Sequence, residues 1–127
     1  MIRGLFCGIS EYRANQELPY CVNDAKKMKE IFTEIFMCSD DSINVLATEG
    51  HIDNSEYISE VKKFSETCTE DDVAVIYYSG HGGIDEDGYN YLYATNTYDG
   101  NTQSYIYFDV IIDRLNESRA KSYVQYI

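Results

Sequence analysis

The chain has 127 residues, a single proline and an ordinary apolar fraction of 44%, which predicts one folded domain with its own core. Its formal net charge of −12 argues against binding to nucleic acid or to anionic membranes, because both attract an excess of lysine and arginine. No stretch of the sequence approaches transmembrane length.

The four cysteines show neither a CxxC pair nor the spacing of zinc ligands, and they are Cys7, Cys21, Cys38 and Cys68. The apolar N-terminal stretch is too short for a secretory signal. We therefore expect reduced thiols in a cytoplasmic protein, with two disulfides as the alternative that an even count allows.

The first third of the chain predicts a strand, a loop and a helix. Leu5–Ile9 is a short apolar run that indicates a buried strand, and the polar residues 10–21 indicate a long loop. From Val22 to Phe36 the apolar residues fall on one helical face, with Asn23 or Asp24 available as N-cap.

A second strand and a second helix follow. Ile43–Ala47 has strand composition, and Asp53–Glu56 resembles a capping box at the start of a helix. The buried stripe of that helix is predicted to be Tyr57, Ile58, Val61, Phe64 and Cys68. His51 lies in the connecting loop, and we interpret it as a surface histidine without a role.

The third predicted strand, Val73–Tyr78, ends at a turn that carries His81 between Gly80 and Gly82. Flanking glycines let a substrate approach the backbone closely, and the pKa of histidine suits proton transfer at neutral pH. The alternative is a histidine that only caps the turn.

The last part of the chain predicts a hairpin, a helix and a strand. Asp85–Gly88 is a turn signal, and after it Tyr89, Tyr91 and Tyr93 alternate with other residues as in a half-exposed strand. A third helix has an apolar face of Phe108, Ile111, Ile112 and Leu115, and Ser122–Ile127 has the composition of a fourth strand.

This order of elements predicts an α/β domain with a mostly parallel sheet, helices on both faces and a small hairpin after strand three. Ligands bind such sheets beyond the carboxyl ends of the strands. We therefore expect Asp24, Ser79 and His81 to lie in one neighbourhood.

Two segments carry a resemblance to a known family. Tyr78–Gly82 (Tyr-Ser-Gly-His-Gly) and Leu18–Ala25 (Leu-Pro-Tyr-Cys-Val-Asn-Asp-Ala) resemble the caspase-like cysteine peptidases, and the second segment is similar to the metacaspase branch. The resemblance implies a caspase-like (caspase-hemoglobinase) sandwich. Residues 1–127 would then be the N-terminal, large-subunit-like part of that domain, ending within or just after strand four.

The resemblance also implies roles for individual residues. His81 matches the catalytic histidine, and Gly82 matches the residue whose N–H serves the oxyanion hole. Asp24, with Cys21 and Ser79 beside it, matches the pocket that receives an arginine or lysine before the cleaved bond. The implied function is that of a cysteine-type endopeptidase acting on a polypeptide substrate.

The nucleophile is the main departure from this pattern. The resemblance places it roughly 50 residues after the histidine, just beyond residue 127, whereas all four cysteines precede His81. Cys7 lies in an apolar strand, where burial raises the pKa of a thiol and makes it inert. The resemblance implies that Cys21 forms a wall of the substrate pocket. The dyad would then need the remaining C-terminal part of the same catalytic domain.

Two further features depart from the metacaspase pattern. Tyr20 stands where that pattern usually has glycine, which implies a reshaped rim of the substrate pocket. Calcium-activated members of the family have several aspartates close together after the hairpin. Asp99, Asp109 and Asp113 match that group only in part. An EF-hand register ending at Ala94 lacks its final carboxylate, so no calcium ligand is assigned and no cofactor is expected.

Two other classes of function remain to be weighed. A catalytically inactive caspase-like module would bind a partner or regulate an active relative, with the row of Tyr89, Tyr91 and Tyr93 as its contact surface. A receiver or nucleotide-binding domain is disfavoured, because Ser79–His81 replaces the receiver aspartate and no glycine-rich phosphate loop follows the first strand.

Overall fold

The computed structural model describes residues 1–120 and the backbone of residues 122–126. The strands in this part of the chain are β1 (Ile2–Gly8), β2 (Ile43–Leu46), β3 (Val73–Ser79), β4 (Gly82–Ile84), β5 (Asn90–Tyr93), β6 (Tyr105–Tyr107) and β7 (Ser122–Tyr126). The α-helices are α1 (Cys21–Ile35), α2 (Asn54–Thr67) and α3 (Phe108–Glu117). None of the helices in these residues is long and apolar enough to cross a membrane.

The main sheet has the strand order β2-β1-β3-β7, and all its neighbouring strands are parallel. The chain winds from β1 to β2 on one side and then to β3 on the other, so the winding reverses beside β1. The predicted parallel α/β architecture is confirmed. The backbone of the predicted fourth strand is present as β7, while Ile127 lies outside the described residues.

Side chains that alternate along the central strands build a core on each face of this sheet. On one face, Phe6 and Val75 pack with Ala25 and Phe32 of α1. The opposite face is larger and joins the sheet to α2 and α3 through Leu5, Ile76, Tyr57, Val61, Ile111 and Leu115. Helices therefore cover both faces, as the order of elements predicted.

Helix α1 begins one residue before the predicted start, and the N-cap prediction is wrong. Tyr20 occupies the N-cap position without a side-chain cap, and Asp24 lies in the first turn. The carboxylate of Asp24 instead accepts a hydrogen bond from the Ser79 hydroxyl at 3.0 Å. A tertiary contact at the sheet edge thus replaces the local cap.

The predicted capping box of α2 is also absent. Asp53 is at the N-cap position but makes no side-chain cap bond. The N–H of Asn54 donates to Oδ1 of Asn96 at 3.0 Å, and the amide of Asn96 donates back to Oδ1 of Asn54. A side chain from a distant loop satisfies the helix terminus, which a local sequence pattern does not reveal.

The region after β3 is a three-stranded antiparallel sheet, β4-β5-β6, rather than the predicted hairpin alone. The predicted row of exposed tyrosines is wrong, because Tyr91 and Tyr93 are only 7% and 6% exposed. Tyr91 stacks on Tyr105 with ring centroids 3.8 Å apart, and the Tyr93 hydroxyl donates to Asp99. Only Tyr89 is exposed, so this row offers no continuous contact surface.

A buried carboxylate joins the starts of β1 and β3. Asp72, whose side chain is 4% exposed, accepts from Nε of Arg3 at 2.9 Å and from the N–H of Thr69 at 2.8 Å. The Thr69 hydrogen bond, helped by the Arg3 charge, holds the pKa of Asp72 below its usual value.

Replacing Asp72 with asparagine is expected to lower the free energy of unfolding at pH 7 by roughly 1–3 kcal/mol, measured by urea denaturation. Because folding lowers the pKa of Asp72, its contribution is present above the unfolded carboxyl pKa of about 3.9. The contribution is lost as the pH falls further, through the folded value. The difference in unfolding free energy between wild type and Asp72→Asn should therefore disappear at low pH.

Asp71→Asn is the matched control, since Asp71 is the exposed neighbour. We expect it to change stability by less than about 0.5 kcal/mol. Equal effects of the two substitutions at pH 7 would show that Asp72 is not the anchor.

Candidate active site

The carboxyl ends of β1 and β3 meet the start of α1. The ladder extends past the strands, because the N–H of Ile9 donates to the carbonyl of Ser79 at 3.0 Å. A Cβ at Gly8 would overlap the carbonyl oxygen of Cys21, so only glycine lets α1 begin this close to the strand. The same edge therefore carries Cys21, Asp24, Ser79 and the turn after β3, as predicted.

The ring of His81 is half-buried at this edge, and its tautomer is set by one contact. Nε2 lies 2.8 Å from the backbone carbonyl oxygen of Gln16. A carbonyl oxygen only accepts, so Nε2 must carry a proton and donate it. In the neutral ring, Nδ1 is then unprotonated and available as a base.

Two buried tyrosines, Tyr12 and Tyr78, hold the backbone of His81 and are called here the tyrosine clamp. The N–H of His81 donates to the Tyr12 hydroxyl at 3.0 Å. The Tyr78 hydroxyl lies 2.9 Å from the carbonyl of His81 and 2.7 Å from that of Tyr93, and these two acceptors share its proton. The two hydroxyls are 3.3 Å apart.

Burial moves the pKa of both clamp hydroxyls further above neutral pH. It raises the pKa of Tyr12 to about 12 and the pKa of Tyr78 well above its ordinary value. A Cβ at Gly80 would overlap both hydroxyls, which explains the glycine before His81. No sequence pattern indicated the clamp, because Tyr78 lies in an apolar strand, where a tyrosine is interpreted as core, and Tyr12 lies in a polar loop.

The amide of Gly82 faces away from its neighbouring strand. The N–H of Tyr93 donates to the carbonyl of His81 at 3.0 Å, and Gly83 pairs with Tyr91. In an antiparallel ladder the residue between two hydrogen-bonded pairs directs its N–H and C=O outward. Gly82 is exposed and β4 is an edge strand, so its N–H points to open space beside His81.

The residues predicted to form the substrate pocket lie together at this edge, and their role stays a prediction. Ser79 donates to Asp24 at 3.0 Å, and Cys21 is 7% exposed beside them at the first position of α1. Asp24 itself is exposed rather than enclosed. A cationic partner would therefore reach the carboxylate from solvent.

The thiols are free and the second histidine lies at the surface, as the sequence predicted. All four cysteines are free, and burial raises the pKa of Cys7 to about 12, so this thiol is inert at neutral pH. His51 is exposed, with Nδ1 lying 3.5 Å from a carboxylate oxygen of Glu11.

No three His, Cys, Asp or Glu side chains come together as metal ligands within the residues that the structure describes. Asp99 accepts from the hydroxyl of Tyr93, and Asp109 lies in the first turn of α3. Calcium activation therefore stays untested.

Sequence comparison agrees with this geometry, because the caspase domain family matches residues 3–121. The chain belongs to the caspase family of peptidases. It is 34% identical over 103 residues to metacaspase-1 of Arabidopsis thaliana. The matched region covers 69% of this chain and 27% of that protein. It is 30% identical over 90 residues to metacaspase-1 of Meyerozyma guilliermondii, covering 67% of this chain and 22% of that protein.

The chain thus spans about a quarter of the length of the curated relatives that it matches. The caspase-like fold and the likeness to metacaspases are confirmed. Within this caspase domain, the roles of single residues rest on the geometry above.

Tyr12→Phe tests the tyrosine clamp, because it leaves the N–H of His81 without its acceptor. We expect a loss of roughly 1–3 kcal/mol in unfolding free energy, together with faster amide hydrogen exchange at His81.

Tyr57→Phe is the control from the same core. The Tyr57 hydroxyl is buried and has no hydrogen-bond partner among the described residues. Its removal should leave stability unchanged or raise it, and should not affect exchange at His81. Similar losses for both variants would argue against the clamp.

Proposed function

We propose that this caspase domain supplies the acid–base half of a cysteine endopeptidase that cleaves polypeptides after arginine or lysine. The nucleophilic cysteine is proposed to lie beyond residue 127, in the remaining C-terminal part of the same catalytic domain. The observation that carries the proposal is the hydrogen bond of His81 Nε2 to Gln16, because it leaves Nδ1 free as a base beside the outward amide of Gly82.

The course of β7 supports the position of the nucleophile. The backbone of Tyr126 pairs with that of Tyr77, two residues before the end of β3. Because the strands are parallel, a chain that continues from Tyr126 reaches the edge that carries Ser79 and His81.

The proposed reaction begins when Nδ1 of His81 takes the proton of the cysteine thiol. The thiolate attacks the scissile carbonyl carbon, and the N–H of Gly82 donates to the oxyanion that forms. The carbon–nitrogen bond then breaks as His81 returns the proton to the leaving amine. Water, deprotonated by His81, hydrolyses the thioester and regenerates the thiol.

Asp24 is the basis for the proposed preference for a substrate with a basic residue before the cleaved bond. Its exposed carboxylate lies at the same edge as His81, held by the hydroxyl of Ser79. The net charge of −12 attracts cationic substrates as well. The free thiols support a cytoplasmic location, which is also part of the proposal.

His81→Ala in the full-length protein tests the proposed catalysis. We expect turnover of an arginine-terminated fluorogenic peptide to fall at least about a hundredfold, because the acid and the base are both lost. The control is His51→Ala, which removes the other histidine from an exposed site beside Glu11 and should keep wild-type turnover. Undiminished activity of His81→Ala would refute the role of His81.

Asp24→Asn tests the specificity. We expect kcat/KM for arginine- and lysine-terminated peptides to fall about tenfold, since the charge partner of the substrate is removed. The control Asp41→Asn changes an exposed carboxylate just before β2, at the opposite edge of the sheet, and should have no effect. A wild-type preference for aspartate-terminated peptides would contradict the proposed specificity.

A further inference from the structure

We propose that the outer edge of β4 binds the substrate on the leaving-group side of the cleaved bond, by adding that segment as an extended strand. This inference rests on the proposed function and names a second contact region for the same polypeptide. The region consists of the backbone groups of Gly82 and Ile84, which are called here the β4 edge.

The ladder between β4 and β5 defines which groups are free. The N–H of Tyr93 donates to the carbonyl of His81 at 3.0 Å, and the N–H of Asp85 donates to the carbonyl of Tyr89 at 2.9 Å. These bonds fix His81 and Asp85 as residues that face β5. The alternation of an antiparallel ladder then directs the N–H and C=O of Gly82 and Ile84 away from it.

The β4 edge is accessible in the part of the chain that the structure describes. Both residues are exposed, and the side chain of Ile84 is 68% exposed. No hydrogen bond from another described element reaches their backbone groups. An edge with unpaired N–H and C=O groups is a template for an added strand, which is a common mode of peptide recognition.

The chemistry of the site decides which segment lies here. His81 must reach the leaving amine to protonate it, so the polypeptide on that side begins next to the imidazole. Strand β4 runs directly onward from His81. The amide of Gly82 is engaged by the oxyanion, so Ile84, two residues and about 6.6 Å further along, is the first residue with both backbone groups free.

The surroundings of the β4 edge favour a particular sequence in that segment. The exposed Ile84 side chain suits an apolar residue near the cleaved bond. Glu86 and Asp87 are exposed in the turn that follows β4, and their charges suit a basic residue further along. The occupant is therefore an extended segment with an apolar residue followed by a basic one.

The test compares two substrates of the full-length protein. One is an arginine-terminated peptide with only a fluorescent amine after the cleaved bond, and the other has four further residues there. Ile84→Pro removes the outward N–H but no bond to β5, since proline is tolerated at such edge positions. Ile84→Val is the control, because it keeps both the amide and a β-branched apolar side chain.

We expect Ile84→Pro to lower kcat/KM for the long substrate about tenfold and to leave the short one unchanged. Ile84→Val should change either value by no more than about twofold. An equal response of the two substrates to Ile84→Pro would overturn the inference while leaving the proposed function intact.

A binding experiment separates the two ideas if no turnover is found. The amides of Gly82 and Ile84 are followed by nuclear magnetic resonance while an uncleaved peptide of the leaving-group sequence is added. Saturable shifts at Ile84, reduced by N-methylation of the peptide, support the β4 edge even in an inactive protein. An absence of shifts overturns it, as do shifts that depend on protein concentration alone, because the occupant would then be a second copy.

Discussion

The pairing of β1 with β3 is the constraint on which the rest of the structure depends. It runs in register from Ile2 opposite Val73 to Gly8 opposite Ser79. Asp72 anchors the beginning of the pair and the close approach of Gly8 to Cys21 fixes its end. Because both strands stop at the same level, the loop after β1 and the turn after β3 lie side by side. Gln16 and Tyr12 therefore reach a histidine that is more than sixty residues away in the sequence.

The buried hydroxyls of the tyrosine clamp make the geometry of His81 part of the folding energetics. A buried hydroxyl that lacks a partner costs about 1–3 kcal/mol, whereas a satisfied one contributes about 1 kcal/mol. The His81 turn supplies a partner to each hydroxyl, its N–H to Tyr12 and its carbonyl to Tyr78, which the carbonyl of Tyr93 also binds. Any shift of that turn would leave polar groups unpaired in the core. The hydroxyl of Tyr57 in the same core has no partner in the part of the chain that the structure describes, so not every tyrosine here serves the site.

The sequence was informative where periodicity and known motifs carried the information. The parallel sheet, the three helices and the gathering of Asp24, Ser79 and His81 at one edge followed from the order of elements. Strand β6 was missed because its three residues run directly into α3 without a turn signal between them. Its tyrosines cover β5, which is why the alternation from Tyr89 to Tyr93 gave the wrong exposure.

Backbone groups of the site are harder to predict than its side chains. No sequence pattern predicted that the carbonyl of Gln16 accepts from His81, and the motif named the amide of Gly82 without showing that the ladder directs it outward. Every residue has such groups, so their role depends on where the fold aims them rather than on residue type. Helix caps fail for a related reason, since Asn96 reaches the start of α2 from a distant loop. Tertiary placement decides these contacts, and local propensity does not contain it.

The acid–base side of the proposed dyad is complete without its nucleophile. His81 is oriented by Gln16, its backbone is fixed by Tyr12 and Tyr78, and Gly82 is held open by the ladder to β5. All these contacts come from residues 12–93, so none of them requires a cysteine to be in place. Under the proposed function, a nucleophile placed at this edge would meet a histidine that is already oriented. Preorganised groups need no rearrangement during the reaction, so the contacts within residues 12–93 would serve catalysis without a further change in the fold.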